Sequence, residues 1–192
     1  FESRGFGVCS VAMQGDLHRA WAALLREPRT RPDVGSVVPG ARLRGLLDGD
    51  MDGVIALYAE VFGKEPQFCP FGAEPAYHER LRRRHAGEER GVHFVIEVDG
   101  QIRGLLGGWI REKDVHMPPK SVGMDLLLGE ELRGKGISWV GYRRVVEGAV
   151  PLGAVWIKGT TGQPGVMHIA RAMGRVTVGV DLSRDAAFPA GW

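Results

Sequence analysis

An α/β domain is predicted by three observations. The middle of the chain holds an apolar hairpin, a later apolar strand runs through a glycine-rich turn into a helix, and helical periodicities alternate with short apolar runs. With 192 residues, 44% of them hydrophobic and 25% charged, the chain is long enough for one well-filled core. We expect one domain at residues 41–192, preceded by an extension and linker at 1–40.

From the N-terminus, "GFGVCSVAM" reads as a short strand and "DLHRAWAALLRE" as a helix capped by Asp16, with Leu17, Trp21, Leu24 and Leu25 on one face. The Pro- and Gly-dense "PRTRPDVGSVVPG" reads as a linker ending near Gly40. A strand at "ARLRGLL" and a turn at "DGD" lead into the helix "MDGVIALYAEVFG", which turns Val54, Leu57, Tyr58 and Val61 inward and closes at Gly63. The loop "KEPQFCPFGAEP" separates it from a weakly amphipathic helix, "AYHERLRRRHAG". The strands "GVHFVIEV" and "QIRGLLGGWI" are joined by Asp99 and Gly100, the pair that a tight hairpin turn prefers. After the polar "REKDVHMPPK" come the strand "VGMDLLL" and the helix "WVGYRRVVEGAV", with Trp139, Tyr142, Val146 and Ala149 along one side. "AVWIK" is a buried strand, "QPGVMHIARAMG" a short helix and "RVTVGVDL" a last strand. From residue 41 the order is strand, two helices, three strands, helix, strand, helix, strand, which implies an antiparallel start and a crossover helix between later strands.

Composition narrows the function. The 25 Lys and Arg against 23 Asp and Glu leave a net charge of +2, too small for wrapping nucleic acid, so any anion is expected to be held locally. Two cysteines, Cys9 and Cys69, make neither a disulfide framework nor a thiolate cage, and a reduced cytoplasmic setting is expected. No apolar run approaches the ~20 residues of a membrane span, and no signal peptide is recognisable. The chain reads as soluble, with no membrane partner. It begins at Phe1 without an initiator methionine, as a processed chain or a piece of a longer one would. Of six scattered histidines only His78 and His85 share a helical face, without an acidic third ligand, and no metal is expected.

The chemistry is concentrated in "GEELRGKGIS", Gly129 to Ser138, between an apolar strand and a helix. Glycines there let backbone N–H groups converge, and the helix start adds partial positive charge, so an anion is the natural guest. A nucleotide P-loop is a poor fit, because Gly136 stands where a magnesium-binding Ser or Thr belongs and Glu130 and Glu131 would face the polyphosphate. A dinucleotide fingerprint has Gly134 and Gly136 but meets Trp139 at its close-packing glycine. The spacing Arg133, two residues, Gly136, one residue, Ser138 instead resembles the acyl-coenzyme A loop of the GNAT superfamily of acetyltransferases. The resemblance extends in family order over about residues 41–182, through "ARLRGLLDGDMDGVIALYAEVF", "GVHFVIEVDGQIRGLLGGW", "VGMDLLLGEELRGKGIS" and "QPGVMHIARAMGR".

The resemblance implies a GNAT-like mixed, mostly antiparallel central sheet flanked by helices. It implies acetyl-CoA or another acyl-CoA as cosubstrate, its diphosphate held by the backbone amides of Arg133, Gly134, Lys135, Gly136, Ile137 and Ser138. Leu126, Leu127 and Leu128 match the strand segment that pairs with the pantetheine arm, and Arg143 and Arg144 are within reach of the 3′-phosphate. Asp125, acidic in an apolar strand, is a candidate base for the attacking amine, with a purely structural hydrogen-bonded role as the alternative.

Departures from the family pattern gather on the acceptor side. Ala170 stands where the family places the Tyr that protonates the leaving thiolate, and His168 is the nearest titratable substitute. Gln163 replaces an Asn, Arg175 replaces an aromatic, and Thr160 and Thr161 offer hydroxyls nearby. Pro189 makes "AAFPAGW" a poor seventh strand, which leaves open a missing or exchanged final strand. The leading function is transfer of an acetyl or other short acyl group from coenzyme A to a small-molecule amine by direct attack. The alternatives are a megasynthase domain that loads or decarboxylates an acyl group on a carrier-protein thiol, and a non-catalytic coenzyme A-binding module.

Overall fold

The computed structural model describes residues 7–30, 33–64, 72, 74–88, 90–112, 118–161 and 163–183, with side chains at 7–11, 88 and 180–183 left aside. In chain order the elements are β1 (Gly7–Asp16), α1 (Leu17–Arg26), α2 (Val34–Val37), β2 (Ala41–Gly45), α3 (Met51–Lys64), α4 (Pro75–Arg83), β3 (Gly91–Val98), β4 (Gln101–Arg111), β5 (Ser121–Leu128), α5 (Ile137–Ala149), β6 (Trp156–Thr161), α6 (Pro164–Ala172) and β7 (Val176–Ser183). From residue 41 onward this is the order read from the sequence. Cys69 and the segment "AAFPAGW" lie outside the described residues.

One seven-stranded sheet has the order β2-β3-β4-β5-β6-β1-β7. Every neighbouring pair is antiparallel except β5 and β6, which α5 connects as the expected crossover. The β3–β4 hairpin turns on Asp99 and Gly100, both at positive φ, as the two-residue turn requires. β1 enters the body of the sheet between β6 and β7. An N-terminal strand therefore occupies the neighbour position beside β6, and α1 follows it onto the face that carries α5.

Side-chain alternation along the central strands separates two cores. Val95, Leu105 and Leu127 point to α3 and meet Val54, Leu57, Tyr58 and Val61. Ile96, Leu106 and Leu128 point the other way, to Ile137, Val140 and Val145 of α5. The stripe Trp139, Tyr142, Val146 and Ala149 packs against Leu17, Ala20 and Leu24 of α1. Each such side chain contributes about 1.5–3 kcal/mol by leaving water, which keeps helices on both faces of β4 and β5. Asp16 caps α1 as expected, accepting from the Arg19 N–H at 2.7 Å.

Two boundaries differ from the sequence reading. α5 starts at Ile137, before Trp139, because Gly136 adopts the left-handed conformation that ends the turn. α4 passes into a wide turn at Arg84–Glu88, with Gly87 at φ 108°, so the periodicity linking His78 to His85 breaks. His78 faces the Gly72 carbonyl at 2.9 Å, whereas His85 stacks on β3 and β4.

Candidate functional site

The sheet forks in its middle. β5 and β6 pair at Ser121 with Trp156, Val122 with Ile157 and Gly123 with Lys158, and there the register ends. Beyond it β5 follows β4 to Leu128, while β6 follows β1 to Thr161. A cleft of about 790 Å³ opens between the separating strands, with Asp125 to Leu128 on one wall and Gly159 to Thr161 on the other. The glycine-rich turn and the start of α5 close one end of it.

That turn is built from its own backbone. The Gly129 N–H donates to the Arg103 carbonyl at 2.8 Å, Leu132 N–H to Gly129 at 3.0 Å, and Arg133 N–H to Glu130 at 3.1 Å. Gly134 and Gly136 then reverse the chain at φ 72° and 76°, where a side chain would be strained. The next backbone bond is Trp139 N–H to Gly136 at 3.0 Å. Among the described residues the N–H groups of Gly134, Lys135, Gly136, Ile137 and Ser138 are thus left without partners, and the space over Gly134 and Gly136 is open. The sequence counted the Arg133 N–H among these donors, but the turn engages it internally. The Arg133 side chain is also directed inward, with Nε donating to the Leu128 carbonyl at 3.1 Å.

The two acidic residues that spoiled the P-loop reading do not face this space. Glu131 turns back to Arg103, which also holds Glu60 of α3 at 2.7 Å, and the guanidinium keeps both carboxyls below the usual carboxylate range. Glu130 points outward near Lys64, 3.8 Å away. Arg143 and Arg144 do not reach the cleft. They line a separate cavity of about 530 Å³ between α5 and the strands β2 and β3, where both meet Glu147.

Asp125 is half-buried on the β5 wall, and its Oδ2 accepts from the Trp109 indole Nε1 at 3.0 Å. Trp109 in turn lies against His93, with ring centres 4.1 Å apart, and His85, at 4.7 Å, with the Arg84 guanidinium 4.8 Å above the indole. Burial holds the His93 imidazole down at about 3 and the His85 imidazole at about 4, so both rings are neutral near pH 7. His168 is exposed on α6 and lines the opposite wall, its ring edge-on to Trp139 at 6.4 Å. Ala170 is fully buried beside Met13 and Met167, which fill the space there. Thr160, Thr161 and Gln163 also border the cleft.

The sequence names Tyr142 and Arg175 but does not show that they pair on the cleft wall. Tyr142, read as core, is 3% exposed and bonds Arg175, which is 4% exposed. Burial pushes the phenol up and the guanidinium down from their ordinary values. The one signal in the sequence was Arg175, a cation at a position where the pattern that the sequence resembles has an aromatic ring.

The fold has counterparts among solved structures. A GCN5-related N-acetyltransferase from Ralstonia eutropha superposes with a TM-score of 0.57 at 19% identity, over 69% of this chain and 90% of that one. The chain has the GNAT fold. A tandem GNAT protein from the clavulanic acid biosynthesis pathway matches with a TM-score of 0.55 at 14% identity, over 88% of this chain and 50% of that one. The aminoglycoside N-acetyltransferase AAC(6')-Iy, in complex with the bisubstrate analogue CoA-S-monomethyl-acetylneamine, matches with a TM-score of 0.53 at 16% identity, over 70% and 89%. This GNAT-fold chain spans about half to three-fifths of the length of several longer structures that it matches. No protein-family model matches the sequence, and no curated protein does. Among the described residues no helix is long and apolar enough to cross a membrane, and no three His, Cys, Asp or Glu side chains converge as a metal site would.

Proposed function

We propose that the protein transfers an acetyl or other short acyl group from coenzyme A to a small-molecule amine by direct attack. One observation carries the reading: the β5–β6 register stops at Gly123 and Lys158, and five unpartnered N–H groups stand at the mouth of the resulting cleft. Amides at a helix start, with no carboxylate of the described residues turned toward them, suit a diphosphate. The edge of β5 that faces the fork, Leu126 to Leu128, offers peptide groups to an amide-bearing arm and an N–H to the thioester oxygen.

In the transfer the amine nitrogen bonds to the thioester carbon and the carbon–sulfur bond breaks. The proton lost by the amine passes to Asp125, directly or through water, and the leaving thiolate takes a proton from the His168 side of the cleft. Trp109 orients the Asp125 carboxylate.

Calorimetry with acetyl-coenzyme A and a Ser138→Asp variant tests the binding half. A carboxylate in the first turn of α5 suits the helix but opposes a diphosphate, so we expect unchanged or slightly higher thermal stability and at least roughly tenfold weaker binding. Equal affinity in both proteins would reject the loop assignment. Free-thiol release with a panel of amines and with a phosphopantetheinylated carrier protein tests the transfer half, and release with the carrier alone would move the acceptor from amine to thiol.

A further inference from the structure

The cleft holds one buried charge that the transfer described above does not use. Arg175 follows α6, and its Nη2 donates to the carbonyls of Met13 at 2.8 Å and Gly159 at 3.1 Å, two residues paired across β1 and β6. Both carbonyls lie where a ladder is interrupted. The β5–β6 register ends at Lys158, and the β1–β7 register shifts between Ala12 and Met13. These bonds explain why one nitrogen of the guanidinium is there. They leave its charge unanswered.

The remaining partner is neutral as well, the Tyr142 hydroxyl. Among the described residues no carboxylate pairs with Arg175, and its Nε–H is buried without an acceptor. The backbone is nonetheless shaped around this side chain. A Cβ at Gly159 would stand 2.8 Å from Nη2, and one at Gly15 would stand 3.0 Å from Cγ, so glycines on β6 and β1 form its cradle. A guanidinium cannot shed its proton, and one taken out of water without an anion is costly. A built place for such a cation, on the wall of a substrate cleft, is a place for an anionic group of the substrate.

The position says which part of the substrate. Gly159 is the first residue of β6 beyond the fork, and a Cβ there would lie 3.5 Å from the Met124 Cβ of β5. The guanidinium therefore stands at the apex of the fork, beside Met124 in the middle of β5, while the five amides of the turn stand at the mouth. We infer that Arg175 selects an acyl group that itself carries a carboxylate, so that the preferred donor is a dicarboxylic acid monothioester of coenzyme A. This rests on the transferase reading and narrows its acyl group.

Calorimetry on the unaltered protein with coenzyme A, malonyl-coenzyme A and its neutral isostere acetoacetyl-coenzyme A, with succinyl- and acetyl-coenzyme A beside them, decides it. We expect one of the two carboxylated thioesters to bind at least tenfold tighter than the neutral ones, and Arg175→Met to erase that preference while leaving coenzyme A affinity within about threefold. Coenzyme A binding without any preference for a carboxylated thioester would overturn the inference alone. A preference that survives in a folded Arg175→Met protein would overturn it too. No binding of coenzyme A would remove the transferase reading and the inference together. Should the variant not fold, the selectivity of the unaltered protein decides by itself.

Discussion

The Trp109 indole Nε1 donates to the Asp125 carboxylate at 3.0 Å across β4 and β5, placing the acid and its anchor on adjacent strands of the forked sheet. An indole N–H can only donate, so it holds the carboxylate as an acceptor and fixes its orientation. We expect Asp125→Asn to lower turnover by roughly 100-fold with coenzyme A affinity retained, and Trp109→Phe to lower it less, because the carboxylate stays but loses its anchor. Free-thiol release alongside calorimetry reads both numbers. Full turnover in Asp125→Asn would return that carboxylate to a structural role.

His168 lines the cleft wall from α6 and is open to solvent, whereas Ala170, at the position of the Tyr in the GNAT pattern that the sequence resembles, is sealed beside Met13 and Met167. Removing the imidazole should slow the step in which the thiolate leaves, and leave thioester binding near normal. The comparison variant is Tyr142→Phe, which deletes the buried hydroxyl bonded to Arg175. A rate loss of about tenfold or more in His168→Ala, against a smaller one in Tyr142→Phe, is expected from steady-state kinetics. The reverse ranking would name Tyr142 as the proton donor.

Arg103 in β4 ties α3 to the amide-lined turn by holding Glu60 and Glu131 together, and its carbonyl accepts the Gly129 N–H. Replacing it with Met leaves the carbonyl bond and removes both ion pairs. We expect a lower melting temperature, about 2–4 °C for each kcal/mol lost, together with several-fold weaker coenzyme A binding as the turn loosens. A melting shift without any change in affinity would separate the network from the turn.

The imidazoles of His93 on β3 and His85 in the turn after α4 have ring centres 4.5 Å apart and are held at about 3 and about 4, well below the usual 6.5, chiefly by burial; His85 and then Arg84 add to it at His93, while Arg84 adds to it and Asp48 partly opposes it at His85. The unfolded chain therefore binds more protons than the folded one from about pH 3 to 6.5. Their contribution is complete above pH 6.5 and is lost as the pH falls through that window. A single well-buried imidazole sets a limiting slope of about 1.4 kcal/mol per pH unit. The melting temperature should drop from pH 7 to pH 4, and His93→Leu should flatten the drop. Identical slopes would place the acid sensitivity in other groups.

Local patterns were enough for much of this protein. The hairpin at Asp99 and Gly100, the inward stripes of α3 and α5, and the glycine spacing from Gly134 to Ser138 are properties of neighbouring residues, and each was legible because backbone preference and periodicity act over a few positions. Only the tertiary structure decided where Glu131 points, since its partner Arg103 lies 28 residues away. It also decided that β1 joins β6 and β7, and that Arg175 meets Met13 across 162 residues. Burial and charge pairing depend on which distant segments share a dielectric, and residue spacing along a chain carries no record of that.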